Sequence, residues 1–130
     1  FLLSDSMRLI KCQFMDRNDV RQSVRVISNA AKTVKEGHLM AIFPEGTRTK
    51  TGEIGRFKQG AFKIAMDLNL PVVPITLKGF HEAMPARQLF VNPKADTSLH
   101  IGQPIALSQF ADITEAMTYV REKVEEGLQA

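Results

Sequence analysis

Two short apolar runs bounded by glycine and proline constrain this chain more than any other feature. Residues 39–43, Leu-Met-Ala-Ile-Phe, stand between Gly37-His38 and Pro44. Residues 72–77, Val-Val-Pro-Ile-Thr-Leu, stop before Gly79. Runs this short cannot make a stable helix, and runs this apolar suit strands buried on both faces of a parallel sheet. The stretches around them change period. After Asn18, a plausible N-cap, Val20, Val24, Ile27, Ala31 and Val34 recur at helical spacing, with Lys32 and Lys35 in the last turn and Gly37 at C′. Residues 7–15 mix apolar and polar types and read as a strand. Strand, helix, strand predicts a crossover unit with its two strands parallel.

Downstream, residues 45–60 form a loop rich in glycine and cations. Ala61, Ile64, Ala65 and Leu68 mark a short helix ending near Asn69. Residues 80–96, with Pro85 and Pro93, read as irregular, and residues 97–101 as a strand. Asp112 and Glu115 resemble a capping box. Ile113, Met117, Val120, Val124 and Leu128 then give a closing amphipathic helix. The expected fold class is α/β, a mostly parallel or mixed sheet with flanking helices, in one domain over residues 1–130.

Composition narrows the function only a little. Lys plus Arg is 17 and Asp plus Glu 14, a surplus of three cations that permits an anionic partner and demands none. One tyrosine and no tryptophan leave few platforms for stacking bases, and no nucleic-acid motif is present, so nucleic acid is not an expected partner. Cys12 is the single cysteine; it excludes an internal disulfide and reads as a buried thiol. No apolar run approaches the ~18 residues of a membrane span. No metal-ligand spacing exists among His, Cys and carboxylates, so no metal is expected.

The chemistry concentrates in Phe43-Pro44-Glu45-Gly46-Thr47-Arg48, at the C-terminal end of the first apolar run. Ligands of open α/β sheets bind at such strand ends. Gly46 permits close approach of a ligand, and Arg48 offers a fork of donors that fits phosphate oxygens. Lys50, Arg56 and Lys58 follow, spaced by Gly52, Gly55 and Gly60, and the next helix would turn its free amides toward an anion. Charge alone would equally describe a solvated basic loop.

The order of the hexapeptide decides against that plain reading. Phe-Pro-Glu-Gly-Thr-Arg resembles the third sequence block of the PlsC-like glycerophospholipid acyltransferases. Phe14-Met15-Asp16-Arg17 is similar to the second block, Phe57-Lys58-Gln59-Gly60-Ala61 to the segment after the third, and Val73-Pro74-Ile75 to the fourth. With Ile101-Gly102-Gln103-Pro104-Ile105, the resemblance runs from about residue 7 to about residue 107. It implies a glycerol-3-phosphate acyltransferase-like fold. It also implies transfer of a fatty acyl group from acyl-CoA or acyl carrier protein to lysophosphatidic acid, in phospholipid biosynthesis, with no cofactor beyond that thioester. Carried over to matching positions, Arg17, Arg48 and Lys58 would bind the acceptor's phosphate. Asp16, Glu45, Gly46 and Thr47 would line its pocket, with Glu45 holding an arginine or accepting a glycerol hydroxyl. The implied setting is the cytoplasmic side of a membrane, peripheral or anchored by segments outside this chain. A cationic stripe of Arg21, Arg25, Lys32 and Lys35 is compatible with an anionic lipid surface or with plain solvation.

One departure is large. The family's base is a His-x-x-x-x-Asp pair, yet five residues after His38, His81 and His100 stand Phe43, Ala86 and Ile105. No catalytic residue is therefore expected in this chain, which reads as the C-terminal part of an N-terminally truncated acyltransferase domain. The alternative is a non-catalytic phosphate or phospholipid binding module. The three histidines otherwise read as structural or surface residues, with His81 close enough to a strand end to face the site.

Overall fold

The computed structural model describes residues 29, 31–49, 51–85 and 90–130. Asp16, Arg17, Cys12, the strand at 7–15 and the first turns of the helix after Asn18 lie outside the described residues, as do Arg21, Arg25 and Lys50. The backbone divides into two compact units, residues 1–41 and 42–130.

In the first unit, residues 31–35 are helical and stop where glycine was expected to stop them. Gly37 takes φ +85°, its amide donates to the Val34 carbonyl at 2.9 Å, and His38 N donates to the Thr33 carbonyl at 3.2 Å. That pair of bonds satisfies carbonyls a helix end otherwise leaves open. Residues 39–41 that follow have no strand assignment, and Leu39 is fully exposed.

The second unit begins at Ile42 and holds the rest of that apolar run, again without strand structure, with Phe43 73% exposed. The expected doubly buried strand is therefore not formed. A strand needs hydrogen-bonding neighbours, and among the described residues none pairs with 39–43. Helix α1 (Gln59–Asp67) comes next and closes with Asn69 at φ +50° and a Leu70 amide bond to the Ala65 carbonyl of 2.8 Å. Asparagine plays here the part that Gly37 plays earlier.

Strands β1 (Pro71–Val72) and β2 (Ile75–Lys78) then run out, and β3 (Ser98–Ile101) and β4 (Ile105–Ala106) run back. Pro71 and Val72 face Ala106 and Ile105, whereas Ile75 to Lys78 face Ile101 to Ser98. Both pairings are antiparallel, so the expected parallel sheet is not what the described residues form. The two registers differ by one residue, because Val73 and Pro74 on one side are matched by Gly102, Gln103 and Pro104 on the other. Pro74 has no amide to give, which interrupts the ladder, and the extra residue makes the offset of a bulge. Gly102 N still donates to the Pro74 carbonyl at 2.9 Å, with the ring so close that a Cβ at 102 would lie 2.8 Å from Pro74 Cγ.

The offset changes which side chains face inward. Leu99 and Ile101 are exposed, yet Ile105 and Leu107, of the same parity, are buried. Opposite them, Val73, Ile75 and Leu77 are also exposed while Pro74 and Thr76 are buried. The run 72–77 is thus half-buried and broken at Pro74, where the sequence suggested a strand covered on both faces.

Between β2 and β3 a short helix, α2 (Phe80–Ala83), follows Gly79. Gly79 has φ +76°, and any Cβ there would collide with the Asp96 carbonyl oxygen. A single turn of 3-10 helix (Leu107–Gln109) leads to the last helix, α3 (Ile113–Glu126). Asp112 caps it, accepting from Thr114 N at 2.7 Å and Glu115 N at 2.9 Å, while Glu115 reaches back to the Ala111 amide at 2.9 Å. That is the expected capping box, with the return bond shifted by one residue.

The core lies between α1, α3 and the β4 side of the ribbon. Phe57, Phe62, Ala65, Ile105, Leu107, Ala116 and Val120 are buried together, flanked by half-buried Met117 and Val124 of the predicted closing stripe. Phe57 and Phe62 stack at 6.1 Å between ring centroids. The far end of α3 is fixed to β2 by one polar contact: the Thr76 hydroxyl, 3% exposed, donates to the Val124 carbonyl at 2.7 Å.

Candidate functional site: a pinned basic loop

The hexapeptide forms a turn. Gly46 N donates to the Phe43 carbonyl at 3.0 Å, with Pro44 in the second position, where its fixed φ suits a β-turn. Gly46 itself takes φ +67°, so its lack of a side chain is required at this point. The chain leaves this turn, runs through the glycine-rich residues and returns: Lys58 N donates to the Pro44 carbonyl at 2.9 Å. Residues 44–58 are therefore a closed loop of the compact kind that often carries function.

Three contacts hold its interior. The Glu45 carboxylate accepts from the Gly55 amide at 2.7 Å across the loop, a charge-assisted bond to backbone. Thr49 Oγ1 accepts from Thr51 N at 3.3 Å and Gly52 N at 3.1 Å, closing the tip. The His81 ring lies against Gly52, where a Cβ would come within 2.7 Å of its Cε1. Glu45 thus orders the loop by gripping a backbone amide.

Lys58 is the cation this arrangement brings into the turn. A Cβ at Gly46 would lie 3.0 Å from Lys58 Nζ, so the ammonium rests over the glycine. Lys58 is also the N-cap residue of α1, which has no side-chain cap and no acidic residue in its first turn. The amides of that turn and the ammonium therefore present positive charge at one place. Gly60, inside the turn, has nothing within 4 Å of where a Cβ would stand. Arg48 and Thr47 follow Gly46 on the exposed limb of the turn. Among the described residues, Arg48, Arg56 and Lys58 are in no ion pair; the pairs there involve Lys63, His81, Arg121 and Lys123.

Of the residues expected at the site, Glu45, Gly46 and Lys58 are brought together, Thr47 and Arg48 adjoin them in sequence, and Asp16 and Arg17 lie outside the described residues. His81 entered the sequence reading only as a residue near a strand end. Its contact with Gly52 has no charge or spacing signature; the one available hint was Gly79-Phe80 just before it. Two concavities lie along α3. One of about 290 Å³ is lined by Arg56, Phe57, Met117, Thr118 and Arg121. No helix among the described residues is long and apolar enough to cross a membrane.

Comparison with known proteins bears on this loop directly. The family description "Acyltransferase" matches residues 1–78, which contain the turn, the loop and α1. A probable 1-acyl-sn-glycerol-3-phosphate acyltransferase of Mycoplasma pneumoniae is 40% identical over 73 residues, 56% of this chain and 27% of its own. The chloroplastic 1-acyl-sn-glycerol-3-phosphate acyltransferase LPAT1 of Arabidopsis thaliana is 34% identical over 113 residues, 85% of this chain and 32% of its own. The crystal structure of the 1-acyl-sn-glycerophosphate acyltransferase PlsC from Thermotoga maritima superposes with a TM-score of 0.74 at 30% identity, over 82% of this chain and 45% of that one. The chain thus spans about a third or less of the curated relatives' length.

Proposed function

Because this chain belongs to the PlsC-like 1-acyl-sn-glycerol-3-phosphate acyltransferase family, we propose that its pinned loop is the acceptor phosphate-binding part of an enzyme acylating lysophosphatidic acid. In the reaction, the acceptor's free hydroxyl oxygen attacks the thioester carbonyl of acyl-CoA or acyl carrier protein, and the thiolate leaves. The loop contributes position and charge. Lys58 and the opening amides of α1 hold the phosphate, and Arg48 closes on it from the exposed limb. Glu45 and Thr47 shape the pocket wall, and Gly46 leaves room for the headgroup. The proton-accepting His-x-x-x-x-Asp pair is not among these 130 residues, so the chain alone is expected to bind acceptor without turning it over. The acceptor being a lipid, the loop works at a membrane surface.

The observation that carries this reading is the Lys58 ammonium resting over Gly46 at the uncapped start of α1. Its test is steady-state kinetics of the full-length enzyme. Lys58→Ala and Arg48→Ala should each raise KM for the phosphorylated acceptor by roughly tenfold to a hundredfold, the loss of a charge-assisted phosphate contact. KM for the acyl donor should stay within about twofold. Equal losses on both substrates would reject the assignment.

A further inference from the structure

We infer that His81, on α2, is a positioning residue that holds the tip of the phosphate loop in its acceptor-binding shape. The inference rests on the reading of that loop as the acceptor site and extends it to a residue far from the hexapeptide. The contact is intimate. A Cβ built on Gly52 would meet His81 Cε1 at 2.7 Å, Nε2 at 2.9 Å and Nδ1 at 3.1 Å, so the imidazole presents its face, near Cε1, to a bare glycine. Gly52 takes φ +86°, a conformation other residues adopt at a cost, and that choice opens the backbone to the ring. The imidazole side chain is 30% exposed, packed on one side and wet on the other.

What fixes the ring is as specific as what it touches. Gly79, at φ +76°, turns the chain from β2 into α2 so tightly that only a hydrogen fits beneath the Asp96 carbonyl. Asn92 N donates to the Ala83 carbonyl at 2.8 Å and ties the other end of α2 down. The four-residue helix is therefore a short rigid mount for His81, built at the end of β2. Within the loop Glu45 on Gly55 and Thr49 on Gly52 hold its shape, and from α3 the Arg121 guanidinium donates to the Ile54 carbonyl at 3.3 Å, on the limb returning from the tip. His81 is the contact that references the loop tip to the sheet. A loop referenced in this way keeps Arg48, on the limb leading to that tip, within a fixed range of Lys58. Loss of the reference leaves the cations present but mobile, which weakens the acceptor and spares the chemistry at the thioester.

The experiment compares the full-length wild type with His81→Ala, His81→Phe and His81→Gln. It reads KM for 1-acylglycerol-3-phosphate and for acyl-CoA, kcat, and the rate of limited tryptic cleavage after Arg48 and Arg56. His81→Ala should raise acceptor KM about fivefold, leave donor KM and kcat within about twofold, and speed cleavage about fivefold. His81→Phe, which restores a flat ring, should recover both properties. His81→Gln, of similar length without the ring, reads the same effect should the alanine variant fold poorly. Unchanged cleavage in both ring-less variants overturns the contact itself. Faster cleavage with unchanged acceptor KM overturns the inference at its premise, and then Lys58→Ala would also leave acceptor KM alone. A rise in donor KM equal to that for the acceptor assigns His81 to general stability and overturns its positioning role.

Discussion

Gly46 shows how one residue can join conformation to chemistry. Its backbone sits at φ +67°, and a side chain there would press on the Lys58 ammonium, 3.0 Å from the Cβ position. An alanine there meets two penalties of different kinds. The left-handed backbone costs about 1–2 kcal/mol for any residue with a Cβ, and the new methyl crowds the cation, 3.0 Å away. Gly46→Ala should therefore lower Tm modestly in thermal unfolding and raise acceptor KM beyond what Lys58→Arg does. Glu45 stood out in the sequence within the hexapeptide, but its bonding partner did not. The alternatives of an arginine or a substrate hydroxyl come from reading charge, whereas the bond made is to Gly55 N. His81 was less legible still, since contact between an imidazole and a glycine leaves no pattern in spacing or charge.

At the scale of elements, what was legible is what is decided locally. The helix end at Gly37, α1 and the capped start of α3 follow from signals within a few residues. The pairing of 71–78 with 98–106 depends on contacts across an intervening helix and loop, and the two prolines in the first strand hide its alternation. The bulge is the consequence hardest to foresee, and it sets which residues enter the core. Deleting Gln103 would remove the extra residue, turning Ile105 outward or Ile101 inward. The expected result is loss of cooperative unfolding in denaturant, a far larger effect than Gln103→Ala, which should be near neutral. Where α3 meets β2, the fit is equally close. A Cβ on Gly127 would overlap the Thr76 hydroxyl oxygen and lie 3.1 Å from His100 Cδ2. Gly127→Ala should thus cost about 1–3 kcal/mol of stability, the range for overpacking, measured by urea unfolding.

Across the second unit, the core and the outer sheet face differ sharply in cover. Phe57, Phe62, Leu107, Ala116 and Val120 are buried, while Ile75 is 47% and Ile101 61% exposed, directly paired, with Leu77 and Leu99 beside them. Contiguous apolar surface of this kind binds hydrophobic dyes. The chain should enhance ANS fluorescence at neutral pH while retaining its far-UV dichroism, and Ile75→Thr with Ile101→Thr should reduce the signal. Unchanged dye binding in the double variant would place the apolar surface elsewhere. The family, and with it the acyltransferase-like fold, was readable from motif order. Among the described residues both pairings are antiparallel, a direction that an apolar run, which reports only burial tendency, does not encode.

The bond between the Pro44 carbonyl and the Lys58 amide gives the molecule a seam. Glu45 to Phe57 enter and leave at one place, and of that stretch Phe57 is buried in the core and Ile54 packs against it. Such a layout lets the intervening segment change in sequence and length while the packed layers beneath stay as they are.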